Sequence, residues 1–382
     1  MPENSPLILT DARIVLADRI IENGWLAAVD GKIVELGEGR APEPGISLEG
    51  DMLLPGLVEL HTDHLEVHIQ PRPKVDWHAT SAVVAYDAQI AAAGITTVFD
   101  CLRIGADREN RDQRGARAIR VADTIASEME RGNLRSEHHT HLRCEICSED
   151  VVEAAENFLE RHSVGIMSLM DHTPGQRQFR DIGKLREYYQ GKMQISEEEL
   201  QEFFDDRYRM HEKYAVLHRN KLAEIAKSHG VTLASHDDTT AEHVDESLAD
   251  GAAIAEFPTT IEAAEASRQV GISVMMGAPN LIRGGSHSGN VAASELARND
   301  LLDVFSSDYI PASLIMAAFA LPDHSSMELP QAIQTVTKAP AEAVGMSDRG
   351  EIAVGKRADL LRVRDHETPV IRTVWREGQR VL

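Results

Sequence analysis

A chain of 382 residues, 42% apolar and 26% charged, carries enough apolar side chains for one large core or two smaller ones, which excludes a disordered, collagenous or coiled-coil protein. With 62 acidic against 39 basic residues the net charge is −23, so a polyanion such as nucleic acid would be repelled. Three cysteines are too few for a disulfide framework and fit a reducing, cytoplasmic compartment. The opening MPENSPLILT lacks the basic start of a signal peptide, and Asp87 and Gln89 interrupt the apolar stretch from Ser81 to Phe99, so no membrane partner is expected.

In chain order, the first segment reads as strands over Leu7 to Val15, Gly24 to Val29, Lys32 to Leu36 and Ser47 to Leu53, with Asp30-Gly31 as a hairpin turn. Eight short apolar runs follow, alternating with helical patterns: 57–63, 97–102, 139–146, 165–172, 232–237, 253–258, 273–278 and 303–308. Ser81 is placed to cap a helix from Ala82 to Ala93 that stops at Gly94, and Ser196 with Glu199 spells a capping box. Helices are expected over Glu197 to Asp206 and Lys213 to Ser228, within an insertion near 175–230 that reads as a solvated face, or alternatively as a lid. Strands return at Ala358 to Val363 and Val370 to Val374. Eight βα repeats predict an α/β fold, a (β/α)8 TIM-like barrel over 54–349, with a small β-sandwich domain formed by 1–53 and 350–382.

Active sites of such barrels lie at the C-terminal ends of the strands. His61 and Asp63 share a face of the first strand, Glu145 is at an inward-pointing position of the third, and His172, His236 and Asp308 end the fourth, fifth and eighth. These six are candidate ligands for one or two divalent transition metal ions, most simply Zn, with Mn or Fe as alternatives. Asp308 and His236 are the catalytic candidates, Asp308 as acid/base partner of the attacking water. The Cys144-x-x-Cys147 spelling puts its sulfurs on opposite strand faces and is not read as a site. After the seventh run, Arg283, Gly284, Gly285, Ser286 and His287 form an anion cradle, and the basic loops around Arg72 with Lys74 and around Arg177 with Arg180 face the same mouth. Three arginine-bearing loops in an acidic chain call for an anionic small-molecule substrate.

The Leu54-Pro55-Gly56-Leu57-Val58 lead-in to His61, and Gly350 through Leu360, resemble the metal-dependent amidohydrolase superfamily. His61-Thr62-Asp63, Pro71-Arg72-Pro73, Ser168 to Arg177, Ser235 to Asp238, Glu256 to Thr260, Gly277 to Asn290 and Ser306 to Tyr309 are similar to the PhnM family of phosphonate catabolism over nearly the whole chain. That resemblance implies cleavage of the bond between the α- and β-phosphates of α-D-ribose 1-methylphosphonate 5-triphosphate, giving the 5-phosphate and pyrophosphate. It also implies His61 as a first-strand ligand, Asp308 as the last-strand acid/base or ligand, and His172, His236 and Glu145 as further ligands. There are three departures. His61-x-Asp63 stands for the superfamily's His-x-His, Glu256-Phe257 stands where many members supply a histidine, and His64 stands where an Asn is expected. Hydrolysis of a cyclic amide or deamination of a base is the rival reading, and a non-catalytic scaffold the third. Oligomeric state is left open, a homo-oligomer included.

Overall fold

The computed structural model describes residues 6–72, 75–105, 111–177, 183, 186, 196–286 and 288–382. Strands β1 (Leu7–Val15), β2 (Ile20–Val29), β3 (Lys32–Glu38), β4 (Ile46–Ser47) and β5 (Met52–Pro55) come first. Then follow β6 (Leu57–Thr62), β7 (Ile95–Ile104), β8 (Glu137–Glu145), β9 (Ile166–Met170), β10 (Thr232–His236), β11 (Ile254–Glu256), β12 (Ser273–Gly277) and β13 (Val304–Ser306), and finally β14 (Leu360–Asp365), β15 (Pro369–Arg376) and β16 (Gln379–Arg380).

The two chain ends share one sheet, ordered β16-β15-β14-β5-β1-β2-β3, with β4 on β1. Asp30 and Gly31 take φ of 48° and 77°, the left-handed pair that a tight hairpin between β2 and β3 needs. The expected single strand over Ser47 to Leu53 is split, because Glu49 and Gly50 also turn left-handed, at 57° and 82°. β5 stitches the ends together, pairing parallel with β1 and antiparallel with β14.

β6 to β13 pair in sequence order, all parallel, as the alternation of apolar runs and helices predicts. The ring closes where Thr62 bridges Asp308. There the Asp63 N–H donates to the Asp308 carbonyl at 2.8 Å and the Asp308 N–H to the His61 carbonyl at 3.1 Å. One apolar cluster, Val58, Leu60, Phe99, Ile166, Ala234, Ile254, Met275 and Val304, draws a residue or two from seven of the eight strands and fills the barrel. A larger one, including Val98, Leu142, Met167 and Leu233, packs the outer face against the helices.

Two helix expectations change. The helix expected from Ser81 runs Ala79–Ala92 with His78 at its N-cap, so Ser81 lies inside the first turn. The two charged helices of the insertion are one 33-residue helix, Glu197–His229, since Arg207 to Glu212 contains no Gly or Pro to break it. Its capping box is as expected, with Glu199 N–H to Ser196 Oγ at 3.2 Å and Ser196 N–H to Glu199 Oε2 at 2.8 Å, and left-handed Gly230 ends it. No helix among the described residues is long and apolar enough to cross a membrane.

Candidate active site

Toward the C-terminal strand ends the apolar filling gives way to a polar layer two residues further on: Phe99 to Cys101, Ile166 to Ser168, Ala234 to His236 and Ile254 to Glu256. The period of two in a strand puts each pair on one face. His61 from β6 and His141 from β8 complete the layer, and all six side chains are buried.

Glu256 stands at its centre. Its Oε1 lies 3.0 Å from His61 Nδ1 and 3.5 Å from His141 Nε2, while Oε2 lies 2.9 Å from His236 Nδ1 and accepts from Ser168 Oγ at 2.8 Å. His141 Nδ1 is 2.7 Å from the Leu60 carbonyl and 3.5 Å from Cys101 Sγ. Burial by itself would raise the Glu256 carboxyl, but the imidazoles of His61 and His141 hold it well below the usual carboxylate range. For His61 burial works the other way, yet Cys101 and Glu256 carry its pKa well above that of a free imidazole. Burial wins at His141, which is pushed down to about 4.

A second set of donors continues from His236, whose Nε2 is 3.4 Å from Asp237 Oδ2. His172 lies beside it, ring centroids 5.9 Å apart, and is oriented by Glu145: Nδ1 is 2.5 Å from Oε2, and the His172 N–H donates to Oε1 at 3.1 Å. His172 lowers the Glu145 carboxyl to about 2 against the effect of burial. A carboxylate on one ring nitrogen leaves the other for a ligand. Among the described residues three overlapping groups therefore converge, His61–Cys101–His141, His61–His236–Glu256 and His172–His236–Asp237, each with donor atoms within 4.8 Å of one another. Imidazole, carboxylate and thiol together are a donor set suited to a divalent transition metal. Asp237, Phe257 and Asp308, each just beyond a strand end, take φ of 58°, 54° and 53°, a strained left-handed turn for residues with side chains.

The expected residues are distributed unevenly over this geometry. His61, His172 and His236 belong to the donor groups, and Glu145 stands behind His172. Asp63 stands just beyond β6, where its carboxylate pairs with the buried guanidinium of Arg143; Arg143 and His61 together hold it well below the usual range despite burial. Asp308 sits at the closing seam, its Oδ2 3.6 Å from where a Cβ on Gly277 would lie. Arg177 is buried and paired with Asp238 and Glu246 while donating to the His236 carbonyl at 3.4 Å. Arg72 and Arg283 are exposed. The segment expected as a loop from Gly277 opens with a short helix, Ala278–Arg283, followed by Gly284 and Gly285 at φ 80° and 151° and by half-buried Ser286. Lys74, Arg180 and His287 lie outside the described residues. Sequence reasoning passed over Cys101, His141, Arg143, Ser168 and Asp237, and registered Glu256 only as a departure. His141 and Arg143 share the parity of Glu145, and Glu256 that of Ile254, which was the available signal.

A model of the amidohydrolase family matches residues 88–382. The alpha-D-ribose 1-methylphosphonate 5-triphosphate diphosphatase of Escherichia coli (strain K12) is 46% identical over 380 residues, 98% of this chain and 100% of that protein. The 5-methylcytosine deaminase of Klebsiella pneumoniae superposes with a TM-score of 0.66 at 15% identity, over 98% of each chain. The N-acetyl-D-glucosamine-6-phosphate deacetylase of Mycobacterium smegmatis does so with a TM-score of 0.62 at 16% identity, over 98% of this chain and 100% of that one. The last two likenesses concern the fold.

Proposed function

The chain belongs to the amidohydrolase family, and we propose that it hydrolyses the bond between the α- and β-phosphates of α-D-ribose 1-methylphosphonate 5-triphosphate. The observation that carries this reading is the 46% identity to the E. coli diphosphatase across the full length of both chains. The buried polar layer is the place where the chemistry would happen. His61, His236 and Glu256, with His141 and Cys101 on one side and His172 and Asp237 on the other, would hold one or two ions, Zn²⁺ fitting the mixed nitrogen, oxygen and sulfur donors. When bound, such an ion supplies positive charge to the phosphoryl oxygens and acidity to the attacking water.

The rest is the work of this chain's own side chains. Asp308 accepts the proton of the water that attacks the α-phosphorus; the oxygen bridging to the β-phosphorus leaves with pyrophosphate, and the incoming oxygen stays on the ribose 5-phosphate. The seam bonds to His61 and Asp63 fix the Asp308 backbone, and Gly277 leaves room beside its carboxylate. Arg283 and Ser286, on either side of a Gly284-Gly285 turn whose N–H groups close the short helix on Leu281 and Asn280, meet the departing phosphates together with Arg72. Phosphoryl transfer is mainly a matter of position and charge neutralisation, and these groups provide it in a chain that otherwise repels anions. Arg177 instead holds the His236 strand end in place.

The test is hydrolysis in ¹⁸O-labelled water. Label in the ribosyl 5-phosphate, with pyrophosphate unlabelled, is expected, together with much slower turnover of a nucleoside triphosphate and none of a cyclic amide. Label in pyrophosphate would refute attack at the α-phosphorus, and turnover of the cyclic amide alone would refute the reading as a whole.

A further inference from the structure

Away from the barrel axis, three elements bring a thiol, a carboxylate and an imidazole together. Cys147 follows β8, Asp171 follows β9, and His211 is on the Glu197–His229 helix. Cys147 Sγ lies 3.2 Å from Asp171 Oδ1 and 3.8 Å from His211 Nδ1, and His211 Nδ1 lies 2.8 Å from Asp171 Oδ2. We propose that Cys147, Asp171 and His211 form a second, structural site for a thiophilic divalent ion of the Zn²⁺ class, one that pins the long helix to the barrel mouth.

Bonds of about 2.3 Å to sulfur and about 2.0–2.2 Å to nitrogen and oxygen put the edges of a coordination tetrahedron at about 3.3–3.6 Å. The sulfur–oxygen and sulfur–nitrogen separations of 3.2 and 3.8 Å lie within about 0.5 Å of that, and one donor atom from each of the three residues lies within 4.8 Å of the others, so modest side-chain rotation brings them onto one ion. The Thr173 N–H donates to Asp171 Oδ1 at 3.0 Å, fixing the carboxylate, and Thr173 Oγ1 is 3.4 Å from the sulfur. Cys147 and Asp171 are buried, while the His211 side chain is 30% exposed and leaves a way in.

His211 also stands where the helix faces the protein. It shares a stripe with Tyr214, His218 and Leu222, the side by which the helix packs, and His218 Nδ1 anchors the same stripe to the Ile146 carbonyl at 2.9 Å. Without an ion the buried Cys147 thiol donates to the Asp171 carboxylate. Coordination would replace that thiol proton and the His211 Nδ1 proton with the metal. The site is independent of the reaction proposed above, and shares no residue with the groups around Glu256.

The experiment uses full-length protein loaded with Co²⁺, read by its thiolate-to-cobalt charge-transfer absorption and by metal content per chain. Cys147→Ser is expected to lose the Asp171-site band, and both it and His211→Ala to bind one ion fewer. Cys101→Ser serves as the control for the other thiol, and His61→Ala should keep the Cys147 band while losing metal from the barrel. Chelation should lower the melting temperature of the wild type by more than that of His211→Ala. Wild-type metal content in both Cys147→Ser and His211→Ala overturns the proposal, as does a charge-transfer band abolished by Cys101→Ser alone.

Discussion

Glu256→Gln tests the centre of the polar layer with almost no change of shape. In the wild type two imidazoles and the Ser168 hydroxyl address one carboxylate, at 3.0, 2.9 and 2.8 Å. A glutamine offers one oxygen to these three groups and turns an NH2 donor toward an imidazole. It also leaves a buried, protonated His61 without its counter-charge. Breaking a buried pair from one side costs about 3–5 kcal/mol, more than a charged hydrogen bond at about 1.5–3 kcal/mol, so loss of the charge dominates. The metal-free variant should therefore be less stable by about 3–5 kcal/mol. The sign of the pH dependence follows from both partners. The contribution of Glu256, whose pKa is depressed, is present above the unfolded carboxyl value and lost as pH falls through the folded one. That of His61, whose pKa is raised, is present below the unfolded imidazole value and lost as pH rises through the folded one. The difference between wild type and variant should thus be widest at about pH 4.5–6.5. Urea denaturation of chelator-treated proteins at several pH values measures it, and metal analysis of untreated protein should show reduced occupancy. Equal denaturation midpoints across that window would refute Glu256 as the charge that organises the site.

Asp308→Asn should lower kcat on the triphosphate by about 10² or more with a modest change in KM, and leave metal content intact, because the lost proton acceptor matters only in the transition state. Arg283→Ala should raise KM with a stable fold. Arg177→Ala should instead cost about 3–5 kcal/mol of stability, since it strands buried Asp238, and thermal unfolding separates the two arginines. Buried His138, between Asp100 at 2.8 Å and Asp87 at 3.3 Å, has its pKa carried to about 9 by those carboxylates against the pull of burial. Its stabilisation is then full below about pH 6.5 and lost as pH rises through 9, so wild-type protein should lose stability over that interval while His138→Gln loses little.

How much of this was legible beforehand differs by residue, for physical reasons. The eight strands were readable because each is a short apolar run bounded by turn residues, and a parallel strand buried on both faces must be written that way. His61, His172 and His236 could be placed at strand ends for the same reason. The pairing of Asp63 with Arg143 could not be read, because that partner lies 80 residues on in another strand. The burial of Arg177 could not be read, because a cation in a loop and a cation folded under that loop look alike until Asp238, 61 residues on, is brought against it. Glu256 was hidden by the opposite error. A carboxylate where a histidine is customary reads as a missing ligand, yet in this barrel its charge draws His61 and His236 to a common point. A residue that breaks a pattern inside a buried polar layer must be paired if the fold is to tolerate it, so the departure itself marked where the partners would be found.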